Sequence, residues 1–162
     1  MVSVILGSDS ALSVMQACVD ALNELQVPFE VTVASAHRTP DRAAELARSA
    51  KSRGVKVIIA AAGWAAHLPG VLAAYTTLPV IGVPIGSSPL GGQDALYAIV
   101  QMPPGIPVAT VGIDTGRNAA ILAAQMIALS DDDLSARLGE MRAKMAAAVA
   151  AKAQEVEARF RG

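Results

Sequence analysis

The chain has 162 residues, the size of one ordinary domain, and 53% of them are hydrophobic against 17% charged, which supports a full core and argues against disorder. Its 13 basic and 14 acidic residues leave a net charge of -1 with no basic cluster, so nothing in the sequence marks a nucleic-acid or anionic-membrane surface. Aromatic content is only 3% and alanine is abundant, a composition that favours close packing and large buried interfaces; it fits a homo-oligomer or an Ala-rich monomer.

An apolar strand is expected at residues 2–6, then a Gly7-Ser8-Asp9-Ser10 turn. Leu12, Met15, Val19, Leu22 and Leu25 recur at helical spacing and predict a helix over 11–25 that Val27-Pro28 ends. The single cysteine, Cys18, falls on its apolar face and reads as packing, and no Cys/His cluster has zinc spacing. A second strand at 29–34 runs into Ser35-Ala36-His37-Arg38-Thr39-Pro40, and a helix over 40–53 follows with Pro40 in its first turn and Gly54 as its stop.

Residues 55–62 are apolar except for Lys56, as in a strand covered on both faces. Gly63-Trp64-Ala65-Ala66-His67 and a short helix to about residue 75 come next. A fourth strand is expected at 78–83, a Gly/Ser/Pro-rich loop at 84–92, a helix at 94–100, a rigid loop at 103–107, a fifth strand at 108–113 and a helix at 118–129. Ser130 with Asp131, Asp132 and Asp133 reads as a cap and an acidic first turn. The helix they start is expected to run to about residue 159, with Leu134, Leu138, Met141, Met145, Val149 and Val156 on one stripe; it packs on its own sheet or reaches onto a neighbouring subunit.

Strands alternating with helices imply a parallel sheet covered on both faces, a three-layer α/β/α fold in one domain over 1–162. The chain opens directly on a strand, with no charged leader and no run of about 18 apolar residues. A cytoplasmic protein is therefore expected.

The loops after the first three strands open on one edge of such a sheet, where ligands bind. Gly7, Ser8 and Ser10 place a glycine turn and hydroxyls at a helix start, which suits an anion, although Ser10 could equally be a helix cap. Arg38 can grip phosphate through paired N–H bonds, His37 can exchange a proton near neutral pH and Ser35 can donate a hydrogen bond; the plainer reading is a surface arginine beside a capping Thr39-Pro40. His67 either lines the same pocket or packs at the start of its helix. Trp64, the only tryptophan, is either a lid over a ligand or an interface anchor.

These segments resemble the PurE family, the class I N5-carboxyaminoimidazole ribonucleotide mutases of purine biosynthesis. The resemblance rests on Gly7-Ser8-x-Ser10, Ser35-Ala36-His37-Arg38-Thr39-Pro40, Ala65-Ala66-His67-Leu68-Pro69-Gly70 and Leu78-Pro79-Val80-Ile81-Gly82-Val83-Pro84. It continues through Asp94-Ala95-Leu96-Tyr97, Ile99-Val100-Gln101-Met102-Pro103, Gly105-Ile106-Pro107-Val108-Ala109-Thr110 and Asn118-Ala119-Ala120, in order over nearly the whole chain. It implies a flavodoxin-like fold with a five-stranded parallel sheet, a homo-octamer, no metal or cofactor, and a ribonucleotide substrate. It further implies that His37 is the general acid/base and that Ser8, Ser10, Ser35 and Arg38 hold the phosphate and ribose. The His67 and Gly63 loop then lines the base pocket, and residues 87–92 close over it. The substrate-binding set carried over is Gly7, Ser8, Ser10, Ser35, Ala36, Arg38, Gly63, Trp64, Ala65, His67, Leu68 and Ser87.

Two pocket positions depart from the family pattern, and Pro104 stands at a further position that is often basic but variable in the family. Ala11 stands where Gly-Ser-x-Ser is usually followed by Asp, and Trp64 replaces a glycine of the usual Gly-Ala-Gly-Gly-Ala-Ala-His. Both change what fits in the pocket rather than how protons move. They raise the alternative of a paralogue that decarboxylates or transfers carboxylate on another heterocycle.

Overall fold

The computed structural model describes residues 1–161. Five parallel strands, β1 (Val2–Leu6), β2 (Phe29–Val33), β3 (Val57–Gly63), β4 (Val80–Ile85) and β5 (Ala109–Thr110), form one sheet in the order β2-β1-β3-β4-β5. The helices are α1 (Leu12–Glu24), α2 (Pro40–Ala50), α3 (Leu68–Ala74), α4 (Gln93–Val100), α5 (Gly116–Ala128) and α6 (Asp132–Phe160), with a short 3-10 turn at Asp9–Ala11. This is the flavodoxin-like order, whose ligand crevice opens where β1 and β3 lie side by side and their connections leave in opposite directions.

Period-two alternation in the inner strands builds the three layers. Val2, Val4 and Leu6 of β1 and Val57, Ile59 and Ala61 of β3 face a core shared with α1, α5 and the start of α6. Ile5, Ile58, Ala60 and Ala62 face the opposite core, shared with α2, α3 and α4. Both strands are therefore apolar apart from the buried Ser3 of β1, as a sheet buried on both faces requires. Small helix faces bring the layers close: Ala43, Ala47 and Ala50 on α2 and Ala119, Ala120, Ala123 and Ala124 on α5 are fully buried. Cys18 is buried with them, and burial pushes its thiol up to about 12.

Several expectations are corrected. The buried stripe of α1 is Met15, Cys18, Ala21 and Leu22; Leu12, at the first turn, is 53% exposed. Gly63 belongs to β3 rather than to the loop after it, and Pro84 and Ile85 extend β4 by pairing with Ala62 and Gly63. The fifth strand keeps only two residues of the six expected, Ala109 and Thr110. Beyond them the edge bends away, with Asp114 at φ 56 and the Thr115 N–H closing a turn onto Gly112 O at 3.2 Å. The cap of α6 is Asp131, whose side chain accepts the Leu134 N–H at 2.9 Å, so two acids rather than three occupy the first turn. Leu134, Leu138 and Met141 are buried, whereas Met145, Val149 and Val156 on the same stripe are exposed and find no cover among the described residues.

Candidate active site

Four loops at the C-terminal ends of β2, β1, β3 and β4, neighbours in that order, enclose a cavity of about 610 Å³. That volume lies in the range that holds a small ligand. Its lining contains His37 and the whole substrate-binding set named from the sequence, Gly7, Ser8, Ser10, Ser35, Ala36, Arg38, Gly63, Trp64, Ala65, His67, Leu68 and Ser87, but of the loop at 87–92 only Ser87 reaches it. Ala11, Ala61, Ala62 and Ile85 complete the wall. The two deep alanines end a strand that the hydrophobic pattern already reports as buried. Ile85 was missed because Pro84 reads as the end of its strand.

The β2 loop is tied to itself. The Ser35 N–H donates to Thr39 Oγ1 at 2.9 Å, and the Thr39 hydroxyl and N–H return to Ser35 O at 3.2 and 3.0 Å. Thr39 therefore closes this loop and leaves α2 without a side-chain cap. Ser35 Oγ accepts the His37 N–H at 3.3 Å, the Arg38 N–H at 3.1 Å and Arg38 Nε at 3.4 Å. Arg38 reaches across to β1, where Nη2 donates to Gly7 O at 3.2 Å. The guanidinium is thereby fixed between two loops, and its other N–H groups remain for a ligand.

The β1 loop is polar and compact. Ser8, not Ser10, caps the 3-10 turn: its Oγ accepts the Ser10 N–H at 3.3 Å and the Ser10 hydroxyl at 3.1 Å, and donates to Asp9 Oδ1 at 3.1 Å. Ala11 lies buried behind it, 3% exposed, so the position offers a methyl where an acid would offer an acceptor.

The β3 loop brings in the second histidine. His37 Nε2 lies 2.8 Å from His67 Nδ1, with the rings edge-on at 73°. One of these nitrogens must carry the proton that the other accepts, so the two imidazoles share a proton across elements 30 residues apart. The packing alternative for His67 thus gives way to a place on the cavity wall. Gly63 leaves room here: a Cβ would meet Ser87 Oγ and come within 3.1 Å of Ile85 O, so either neighbour would have to shift. Trp64 follows with φ 55, a left-handed conformation that glycine adopts freely and a bulky side chain resists. Trp64 lines the cavity yet is 59% exposed, so it does not fill the pocket.

The family described as AIR carboxylase matches residues 1–148. The chain belongs to that family. A Thermotoga maritima protein named N5-carboxyaminoimidazole ribonucleotide mutase is 49% identical over 156 residues, covering 96% of this chain and 91% of its own. A Bacillus subtilis protein of the same name is 54% identical over 144 residues, 88% of this chain and 89% of its own. A Saccharomyces cerevisiae phosphoribosylaminoimidazole carboxylase is 51% identical over 157 residues, 97% of this chain but 28% of the longer yeast protein. The crystal structure of Treponema denticola PurE superposes with a TM-score of 0.83 at 23% identity, covering 99% of this chain and 98% of that one, which bears on the AIR carboxylase fold alone. Among the described residues no three His, Cys, Asp or Glu side chains gather into a metal-holding group, and no helix is long and apolar enough to cross a membrane.

Proposed function

We propose that this chain is an N5-carboxyaminoimidazole ribonucleotide mutase of purine biosynthesis, an isomerase that moves a carboxylate from the exocyclic nitrogen of an aminoimidazole ribonucleotide to the adjacent ring carbon. The observation that carries the reading is the His37–His67 contact at 2.8 Å beside Arg38, in a cavity whose lining matches the mutase motifs. Relatives at about half identity over nearly the full chain bear the mutase name.

The chemistry follows from the residues. Arg38, Ser8, Ser10 and Ser35 bind the phosphate and ribose, away from the reacting atoms, and that binding positions the base. The N–CO2 bond breaks, and the nitrogen takes a proton from the imidazolium of His37. The electron-rich ring carbon then attacks the retained CO2, gaining a C–C bond, and gives its own proton back to His37. Protons balance over the cycle, and CO2 held against the ring reacts at high effective concentration. Sharing a proton with His67 lets His37 pass between donor and acceptor without recruiting bulk water. Gly7, Ala36, Gly63, Trp64, Ala65, Leu68 and Ser87 shape the wall against the base and sugar.

The same reading covers the assembly. The chain acts as a single domain over 1–162 without a metal or cofactor, as a cytoplasmic homo-octamer. The exposed continuation of the α6 stripe, at Met145, Val149 and Val156, supports burial between subunits. Purified protein given the N-carboxylated ribonucleotide should produce the C-carboxylated isomer. His37→Asn should lower kcat by about 10²- to 10⁴-fold, the range for losing a general acid/base. A well-folded protein that turns over no such substrate would sink the proposal, and light scattering at the mass of a monomer would remove the octamer.

A further inference from the structure

One acid outside the cavity grips the chain that forms its rim. Asp114 lies in the turn between β5 and α5. Its N–H donates to Pro84 O at 2.9 Å, and its Oδ1 accepts the Gly86 N–H at 2.8 Å. A single residue thus holds two points of the main chain, on either side of Ile85, where β4 passes into its loop. Gly86 suits that grip, because a Cβ there would come within 2.8 Å of Asp114 Oδ2. Gly92, at the far end of the loop with φ +87, closes against the same place: a Cβ on it would lie 3.1 Å from Gly86 Cα. The residue after Gly86 is Ser87, whose hydroxyl sits over Gly63 and lines the cavity.

We propose that Asp114 is a positioning residue for ligand binding: by holding the Gly86 amide, it sets where Ser87 presents its hydroxyl to the occupant of the cavity. The carboxylate does not line the cavity and takes no part in proton transfer. Its φ of 56 shows what the position demands. Asp and Asn tolerate a left-handed backbone while offering an acceptor, glycine tolerates it without one, and most other side chains do neither well. The ligand side of the inference rests on the mutase reading; the loop side does not.

Two substitutions separate the hydrogen bond from the backbone. Asp114→Asn keeps both the conformation and an oxygen acceptor, whereas Asp114→Gly keeps the conformation alone. In the mutase assay Asp114→Gly should raise KM about fivefold or more with kcat within about twofold, and Asp114→Asn should stay close to the parent in both. General destabilisation lowers the active fraction and hence the apparent kcat, so the split between KM and kcat distinguishes positioning from simple loss of fold. Amide hydrogen exchange at Gly86 should accelerate about tenfold in Asp114→Gly and recover in Asp114→Asn. Equal KM values for all three proteins overturn the proposal. If the parent itself turns over no substrate, the mutase reading is what fails. The Gly86 exchange rate then decides Asp114 alone, and an unchanged rate in Asp114→Gly overturns it.

Discussion

The loop that carries His37 is closed by side-chain hydrogen bonds, whereas the loop that carries His67 is shaped by what its backbone leaves out. Ser35 and Thr39 spend both hydroxyls and their amides on one another and on their neighbours, and every bond is made within five residues or to Arg38. The β3 loop holds itself differently. It depends on the missing Cβ of Gly63, which lets Ser87 and Ile85 close in, and on a positive φ at Trp64. The first arrangement is local and survives changes in its surroundings. The second is set by packing between strands, and a single added carbon disturbs it.

The His37 side of this contrast should break most visibly in Ser35→Ala. Three accepted hydrogen bonds disappear, two of them to Arg38, and with them the reason for Arg38 to stay between Gly7 and the loop. We expect kcat/KM to fall by about 10- to 100-fold for a stability loss of only about 1–2 kcal/mol. A denaturant midpoint that drops as steeply as activity would show that the loop is part of the core and not a local device.

On the other side, Gly63→Ala should reverse the balance. The added methyl must displace Ser87 or the Ile85 carbonyl from β4, an overpacking that costs about 1–3 kcal/mol. Thermal unfolding should register it first, and activity should fall through the misplaced Ser87 and His67. An unchanged melting temperature would mean that β4 yields freely, and the two loops would then be equally soft.

This difference also decides what could be read from the chain beforehand. The Ser35-to-Pro40 stretch is legible because its chemistry is local: the residues that act and those that hold them lie side by side in sequence. The buried runs in β1 and β3 declare the parallel sheet for the same reason, since burial on both faces leaves no polar alternation. The pairing of His37 with His67 is not local, because it depends on β2 and β3 flanking β1, which pattern alone does not order. Asp114 escaped notice because its partner is a backbone amide 28 residues away. The shortening of β5 is equally invisible, being decided by the turn at 112–115 and not by the β-branched residues before it. Trp64 was conspicuous by type, yet its consequence depended on an outward placement that only coordinates supply.

Trp64→Gly sharpens the contrast at smaller scale. A left-handed backbone costs a bulky residue about 1–2 kcal/mol, and glycine gives back roughly 0.5–1 kcal/mol of that through its freedom when unfolded. Net stability should therefore change by about 1 kcal/mol or less, in the favourable direction. Losing a wall of the cavity should raise KM a few-fold with kcat unchanged, because Trp64 lines the cavity at 59% exposure while the proton chemistry is assigned to His37. A large gain in kcat would instead mean that the indole obstructs the substrate.

The smallest signal comes from Cys18, which lies in neither loop and reports on the molecule between them. Burial raises its thiol from 9.0 to about 12, so at pH 8 the folded protein holds almost no thiolate there and alkylation must wait for opening. The stability owed to the neutral thiol is complete below pH 9 and is lost as pH climbs toward 12, because the unfolded chain ionises first. Cys18 packs on the start of α5, with its Cβ 3.4 Å from where a Cβ on Gly116 would lie, and that helix covers the inner strands. Gly63→Ala strains those strands and should speed alkylation by a few-fold at pH 8. Ser35→Ala, if its loop is self-contained, should leave the rate where it was. Equal acceleration in both variants would erase the distinction, because opening of the β2 loop would then be opening of the core.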